Sequence, residues 1–423
     1  MILRSEESHL LKMSNSRTSR SRRSDGEVQK PHILVGVTSA QTCLVLPARL
    51  RALRDGGFKV SFVSSAGELS IEVNQLAEVT SYIVPMKRGM SLPSDTIAFC
   101  RIVLLVARLK PDIVEFSTPK AGLLGSAASW ICRVRVRIYF LRGLRLETVT
   151  GAKRYVLLWS ERIAAACAHV VVVNSESLRN RSRELGVSSE KKLTLFGEGS
   201  SNGVDTLRFS PGPSEGRERL RIPAGARVIG FVGRLTGDKG LPELVEAFAK
   251  VLRKRPECYL LLVGWFDAAE DALGLELRSR IEGHPRIVCT GYVADPAPYY
   301  HLMDVMVLPS WREGFPNAVL EAAASGVPVV ATTCTGSCDA VVPEVTGILV
   351  PPGYTAAIAE ALLRLICDDQ LRRRMGEAAR RWAVEHFDQR RVLETMVGYY
   401  LRLLSRKNKK VTGVGEPVTG VSG

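Results

Sequence analysis

The stretch "GEGSSNGVDTLRFSPGPSEGRERLRIPAG", Gly197 to Gly225, decides how the fold is read. It is rich in Gly, Ser and Pro, carries no helical or strand apolar period, and interrupts a regular pattern on both sides. Upstream, from His32, β-rich runs alternate with amphipathic segments: "HILVGVTS", a helical "LVLPARLRALRDGG" that stops at Gly56-Gly57, and "FKVSFVSS". Then come "PDIVEFS", a helical "KAGLLGSAASWIC", "VRVRIYFLRG", a helical "KRYVLLWSERIAAACA", and "HVVVVNS". Downstream a second series begins with "RVIGFVGRL" and continues through "CYLLLVGW", "RIVCTGYV", "DVMVLPS", "VPVVAT" and "GILVPPG". Charged amphipathic helices close it at about Arg406.

Such alternation builds a mostly parallel sheet with helices on both faces. The expected fold class is therefore α/β, with two doubly wound, Rossmann-like domains facing a central cleft. A chain of 423 residues suits two domains of roughly 180 residues each, plus tails. We place a disordered basic extension at 1–30, the first domain at 31–205, the second at 206–385, a closing helix at 386–406 and a flexible tail at 407–423. The closing helix, within "QRRVLETMVGYYLRLLSRK", has two courses open to it: back across the first domain, or along a membrane.

Net charge is +15, divided as +3 over 1–30, +9 over 31–205 and +3 over 206–423. A basic face in the first folded half attracts an anionic surface, and an anionic membrane leaflet is the partner expected. Nucleic acid is not expected, since no zinc-finger spacing, RNP-like aromatic motif or heptad-linked basic region is present. No apolar run reaches the ~18 residues needed to span a bilayer. Nine cysteines, scattered singly apart from Cys334 and Cys338, suit a reducing compartment better than a zinc site. The expected location is cytoplasmic, peripheral on the inner face of the cell membrane.

In open α/β sheets ligands bind beyond the carboxyl ends of strands, so motifs at strand ends carry function. In "GFVGRLTGDKG", Gly233 closes a strand, Arg234 follows it, and Lys239 stands five residues on. Two such cations can neutralise a pyrophosphate, although solvated loop charges are an ordinary alternative. In "REGFPNAVLEAAASGVPVV", Arg312 to Val330, a helix is expected to begin at Asn317 as N-cap. Its first N–H groups, with the turn Gly314-Phe315-Pro316, form an anion site. Glu313 and Glu321 would repel phosphate and are better used accepting hydrogen bonds from vicinal diols, Glu313 from a sugar and Glu321 from a ribose. The implied ligand is a nucleoside diphosphate carrying a sugar.

In the first domain, Thr118 and Pro119 in "FSTPKAGLLG" read as an ordinary N-cap and first helical residue. Lys120 at a helix start is less expected, and an anionic acceptor would account for it. Arg133, Arg135 and Arg137 alternate in a strand and are read as solvated or membrane-facing. Arg142 and Gly143 follow at the strand end, toward the cleft.

At these residues the sequence resembles the GT-B glycosyltransferases of family 4, and more closely the branch that builds capsular and exopolysaccharide repeat units. The resemblance covers about residues 32 to 400. It is carried by "FVGRLTGDKG", by the E-x7-E motif "EGFPNAVLE", and by "ASGVPVVAT", "STPKAG", "YFLRGLRLET" and "GSSNGVD". It implies that Arg234 and Lys239 hold the donor diphosphate, that Glu313 orients the transferred sugar, that Glu321 binds ribose, and that the main chain near Val293 meets the base. Glu313, Arg234 and Lys239 are then the catalytic set. Gly233, Val293, Gly314, Phe315, Pro316, Asn317 and Glu321 bind the nucleotide sugar, and Lys120, Arg142 and Gly143 the acceptor. It further implies a metal-independent, retaining transfer without a cofactor, from a UDP-sugar to a lipid-linked saccharide, in which the leaving phosphate helps deprotonate the acceptor. Two features depart from the family pattern: the loop after the first strand, "TSAQTC", lacks a common glycine pair, and Arg142 stands where many members carry histidine. A UDP-sugar 2-epimerase of the same architecture and a catalytically silent assembly scaffold are the competing readings.

Overall fold

The computed structural model describes residues 30–38, 46–65, 77–87, 89–267 and 272–412, with side chains through Arg406. Residues 1–29 of the proposed basic extension, most of the "TSAQTC" loop and residues 413–423 of the proposed flexible tail lie outside the described residues, whereas 407–412, expected to be flexible, continue the closing helix.

The first sheet is parallel throughout and contains β1 (His32–Gly36), β2 (Lys59–Ser64), β3 (Thr80–Ile83), β4 (Ile113–Ser117), β5 (Val136–Leu141), β6 (Val170–Val173) and β7 (Leu193–Leu195). Its spatial order is β3-β2-β1-β4-β5-β6-β7. Its helices are α1 (Pro47–Asp55), α2 (Leu92–Leu109), α3 (Pro119–Ile131), α4 (Gly151–Cys167) and α5 (Glu176–Glu184). The second sheet, also parallel, contains β8 (Arg227–Val232), β9 (Cys258–Val263), β10 (Ile287–Cys289), β11 (Val305–Leu308), β12 (Val329–Thr332) and β13 (Gly347–Val350), in the order β10-β9-β8-β11-β12-β13. Around it lie α6 (Leu241–Lys254), α7 (Leu275–Glu282), α8 (Ala297–Tyr300), α9 (Asn317–Ala324), α10 (Thr355–Cys367) and α11 (Asp369–Phe387), and α12 (Gln389–Thr412) closes the chain.

The strands inside both sheets read as nearly continuous buried runs because helices cover both faces, while β3, β7 and β10 are only partly buried. α6 shows the matching helical logic: Leu241, Leu244, Val245, Phe248 and Val251 are buried at helical spacing, and the opposite face is charged. Four elements of the first domain escaped the sequence pattern, β3, α2, α5 and β7, and two of them show why. β3 is four residues long and half-buried at best, so it offers no alternation to detect. α2 carries apolar residues on its inner and its outer face, which hides the helical period; Ile102 is buried while Leu104 is 69% exposed.

Each sheet reverses its winding once, between β1 and β4 and between β8 and β11. At such a reversal the connections leave in opposite directions and a crevice opens at the strand ends. The crevice of the second sheet is framed by Gly233 and Arg234 after β8 and by Ser310 to Glu313 after β11.

The segment from Gly197 to Gly225 runs between the domains and is tied down along its length. Val204 accepts a hydrogen bond from the Gln389 amide at 2.9 Å and donates to the Phe387 carbonyl at 2.8 Å. Thr206 donates to the Asp388 carboxylate at 2.6 Å. Both chain crossings therefore pass one point, where α11 gives way to α12. Arg380 donates from α11 to the carbonyls of Thr206, Phe209 and Ala324. Beyond this point α12 enters the first domain, and Leu393, Met396, Val397 and Tyr400 share a core with residues of β1 and α1.

Three expectations need correction. Thr118 does not cap α3 in the ordinary way: its φ is +71°, and its side chain makes no capping bond to its own helix. The Thr38 hydroxyl instead accepts from the Ala121 amide at 2.9 Å, across the β1/β4 reversal. Arg137 is not membrane-facing, since its guanidinium donates to the carbonyls of Cys167 and Val134 at 2.7 and 2.9 Å. Arg133 and Arg135 precede β5 rather than lying in it, Arg133 with a φ of +53°.

Between β5 and α4, the Tyr139 hydroxyl donates to the Glu161 carboxylate in the core. Burial pushes the Glu161 carboxyl up to about 7, against the opposing pull of the Tyr139 hydrogen bond. Below the ordinary value of 4.5 the group is protonated in both folded and unfolded chains. Between that value and about 7 the unfolded chain loses the proton first, so stability falls across this window, on the order of 3 kcal/mol, and then levels. Glu161→Gln keeps the neutral form and should show a flatter dependence. Thermal unfolding of both proteins at pH 5 and pH 8 checks this, and parallel curves would contradict it.

Candidate active site

The sequence around Arg234 folds into a loop because its glycine leaves no choice. Gly240 adopts a φ of +74°, and a Cβ there would lie 2.1 Å from the Pro309 carbonyl oxygen. The loop after β8 is thereby pressed against the end of β11, and its charges meet those of the Glu313 turn.

Lys239 donates to Glu313 Oε1 at 2.5 Å, and the Ser310 hydroxyl donates to the same oxygen at 2.8 Å. Arg234 donates to Asp267 at 3.0 Å and stands 3.9 Å from Asp238. Asp238 is almost fully buried and accepts from the Thr236 hydroxyl at 2.6 Å and from Arg312 at 2.8 Å. Burial alone would raise its carboxyl, but the Thr236 hydrogen bond and the surrounding Arg312, Lys239 and Arg234 charges outweigh it and hold the group below its ordinary value. The two cations expected to hold a diphosphate are thus prepositioned by acids. Asp238, Asp267, Arg312 and Ser310 were not singled out from sequence, although Asp238 lies inside "GRLTGDKG", four residues after Arg234.

The second glutamate lies in a different setting. A cavity of 620 Å³ is walled by α1, the interdomain segment, the ends of β8 and β9, and the start of α9. Gly233, Val293, Asn317 and Glu321 line it together, with Trp265 and Arg208. Glu321 Oε2 accepts from the buried Tyr300 hydroxyl at 2.7 Å. Burial raises the Glu321 carboxyl above its ordinary value, with the Tyr300 bond acting the other way. Tyr300 in turn packs its ring edge-on against Phe209, centroids 5.8 Å apart. A carboxylate so held has one oxygen fixed and the other directed by that bond, the arrangement needed to accept from a hydroxyl.

Asn317 is the first helical residue of α9 and not its cap. Pro316 takes the cap position in an extended conformation, and its carbonyl accepts from the Val319 amide at 3.1 Å. No side chain caps this helix end, so its leading amides are left for an anion. Phe315 is buried with its ring 5.2 Å from that of Phe387, so it can reach a ligand only through its backbone.

Of the first-domain residues, Gly143 and Arg142 meet the Glu313 turn directly. A Cβ on Gly314 would lie 1.8 Å from the Arg142 carbonyl oxygen, and one on Gly143 3.4 Å from Gly314. The Arg142 guanidinium lies 4.6 Å from the centre of the Phe140 ring, and its Nε and Nη2 have no hydrogen-bond partner among the described residues. Burial, and then the neighbouring Arg49 charge, lower it to about 10, partly offset by Glu115. A buried, underbonded cation at the seam between domains is suited to an anion. Lys120 is placed otherwise: it donates to Asp95 at 2.6 Å and to the Gly89 carbonyl at 2.5 Å. Asp95 answers its charge, and no external anion is needed to explain it. The seam continues in bonds from Arg312 to Thr148 at 3.0 Å and from Thr335 to Glu147 at 2.9 Å.

Residues 226–368 match the family model of group 1 glycosyl transferases, and residues 48–199 that of the glycosyl transferase 4-like domain. The capsular polysaccharide biosynthesis glycosyltransferase CapM of Staphylococcus aureus is 35% identical over 375 residues, 88% of this chain and 98% of its own. The UDP-Gal:alpha-D-GlcNAc-diphosphoundecaprenol alpha-1,3-galactosyltransferase of Escherichia coli is 26% identical over 78% of this chain and 85% of its own. Among solved structures, sucrose-phosphate synthase of Thermosynechococcus elongatus shares the fold with a TM-score of 0.74, covering 88% of this chain and 99% of that one at 22% identity.

The Gly314 contact yields a direct test. Gly314→Ala places a methyl group on the Arg142 backbone and should destabilise the closed pair of domains by about 1–3 kcal/mol. The expected result is a lower urea midpoint with greater cleavage of the 197–225 segment by protease. An unchanged midpoint would show that the seam has room to spare.

Proposed function

The chain belongs to the group 1 glycosyltransferases, and we propose that within them it moves a hexose or N-acetylhexosamine from a UDP-sugar onto a polyprenyl-diphosphate-linked saccharide of a surface polysaccharide. The observation that carries this reading is the division of labour along the Glu313–Glu321 turn and helix. Glu321 sits in the cavity under Tyr300, while Glu313 is not among the residues that line it and is paired with Lys239, which shares its loop with Arg234. A nucleoside bound in the cavity would run its diphosphate past the open amides of α9 toward those cations, and its sugar toward Glu313. The capsule role of CapM and the UDP-sugar and diphosphoundecaprenol in the Escherichia coli enzyme's name support the donor and acceptor classes.

The chemistry follows from where charge develops. The sugar's anomeric carbon breaks its bond to the diphosphate oxygen and forms one to an acceptor hydroxyl, and the acceptor's proton passes to the departing diphosphate. Charge gathers on that leaving oxygen, and Arg234, Lys239 and the α9 amides are placed to stabilise it. Lys239 is held by Glu313 before substrate arrives, so donor binding exchanges an internal ion pair for a phosphate contact and leaves Glu313 to accept from the sugar hydroxyls. With cations of its own at the leaving group, the site is read as metal-independent. Attack from the face the leaving group vacates, with the proton moving to that group, gives retention. Arg142 is read as a contact for the acceptor diphosphate.

Two variants separate the two glutamates. Glu313→Ala should lower transfer by about a hundredfold or more while sparing UDP affinity. Glu321→Ala should weaken UDP binding about tenfold through loss of a charged hydrogen bond. Calorimetric titration with UDP, and transfer of labelled sugar into a membrane lipid extract in the presence of EDTA, measure both. Full activity of the Glu313 variant would overturn its role, release of nucleotide independent of lipid would favour the epimerase reading, and loss of transfer in EDTA would overturn the metal-independent mechanism.

A further inference from the structure

Behind the cavity that holds Glu321 lies a second hollow of 550 Å³, bounded by the end of β9, by β10 and by α7, with Phe266, Arg278, Ile287, Cys289 and Thr290 in its wall. Among the described residues, Gly264 and Trp265 alone line both cavities. Gly264 adopts a φ of +153°, and a Cβ there would lie 1.8 Å from the Gly233 carbonyl oxygen, so no side chain can stand at that position. The Trp265 indole is therefore the one side chain that the two walls share. It is held in place from several sides. Its carbonyl accepts from the Leu235 amide at 2.9 Å, and two residues on, Asp267 accepts from Arg234 at 3.0 Å. The Trp265 ring meets that of Tyr292 edge-on, with centroids 5.5 Å apart. The Arg278 guanidinium lies 4.6 Å from the centre of the neighbouring Phe266 ring. The loop that carries the indole is thus pinned to the loop that carries Arg234, and backbone geometry sets the span between them.

We infer that Trp265 determines which nucleobase the protein accepts: the indole ends the donor cavity at the depth of a pyrimidine, and the second hollow is the space that a purine would need. The inference rests on the donor reading above, in which ribose meets Glu321, the diphosphate runs to the α9 amides, and the base lies beyond, against Tyr292 and Val293. With ribose and phosphates held at those points, a two-ring base reaches farther from Glu321 than a one-ring base does. Trp265 stands in that path. A wall fixed to the diphosphate loop cannot retreat without disturbing Arg234, so the larger base is rejected by a clash rather than by the lack of a favourable contact. The same indole gives a bound uracil an apolar surface to lie against.

Calorimetric titration of the full chain with UDP and with GDP tests this. The wild type should bind UDP at least about tenfold more tightly than GDP. Trp265→Ala joins the two hollows and should shrink that ratio at least about tenfold, chiefly through tighter binding of GDP. Trp265→Phe keeps an aromatic ring, should unfold near the wild-type temperature, and should move the ratio part of the way. A merely structural role for the indole would weaken both nucleotides together and leave the ratio where it was. An unchanged ratio in both variants would overturn the inference while leaving a uridine donor standing. A wild type that binds GDP as tightly as UDP would overturn the donor reading and the inference with it, before any variant is compared.

Discussion

Arg49, on α1, is fully buried and salt-bridged to Glu115 on β4 at 2.6 Å, and the architecture depends on that pair. The same guanidinium donates to the Ser201 carbonyl of the interdomain segment at 3.0 Å and to the Tyr400 hydroxyl of α12 at 2.9 Å. Tyr400 in turn donates to Glu115 at 2.5 Å. Burying two charges costs several kcal/mol each, and such pairs return that cost only when hydrogen bonds complete the geometry. Here two further bonds come from the segments that cross between domains, while Arg49 Nε and Glu115 Oε1 have no partner among the described residues. Neither crossing can leave its seat without leaving a buried charge further underbonded, which fixes the hinge more firmly than apolar contact alone.

The electrostatic consequence extends to the cleft. Arg49 and Arg142 both lie over the Phe140 ring, 4.5 and 4.6 Å from its centre, with Glu115 the acid that the pair shares. The cluster holds more positive than negative charge beside the seam where Arg142 and Gly143 meet the Gly314 turn. Across that seam the second domain does the opposite with Arg234 and Lys239, giving each an acid of its own. One side is underbonded and the other fully paired, so an anion entering the cleft would find ready charge on the first and exchangeable charge on the second.

Much of this was legible in the sequence. The strands of both sheets announce themselves as buried runs such as "YLLLV" and "VVVV", and the Gly/Ser/Pro stretch separates the two series. Arg234, Lys239, Glu313 and Glu321 could be found because strand ends carry ligand contacts in this architecture, and the motifs sit at strand ends. β3 and α2 were not legible. The first is too short for a period, and the second faces apolar surroundings on both sides, so neither shows the contrast between inside and outside that sequence patterns report.

The sequence by itself determined the α/β class, the division into two wound domains and the residue types at the strand ends, because each is a local matter of period, turn chemistry and motif. Only the tertiary structure decided which charges meet. The pairing of Lys239 with Glu313 spans 74 residues, that of Arg49 with Glu115 spans 66, and Tyr400 reaches Glu115 from 285 residues away. The backbone traps behind them are equally distant: Thr38 caps α3 from another strand, and Gly314 admits the Arg142 carbonyl from another domain. Hydrogen bonds and Coulomb forces act over ångströms in space and are indifferent to separation along the chain, so their partners become known only when the sheets have brought the strand ends together.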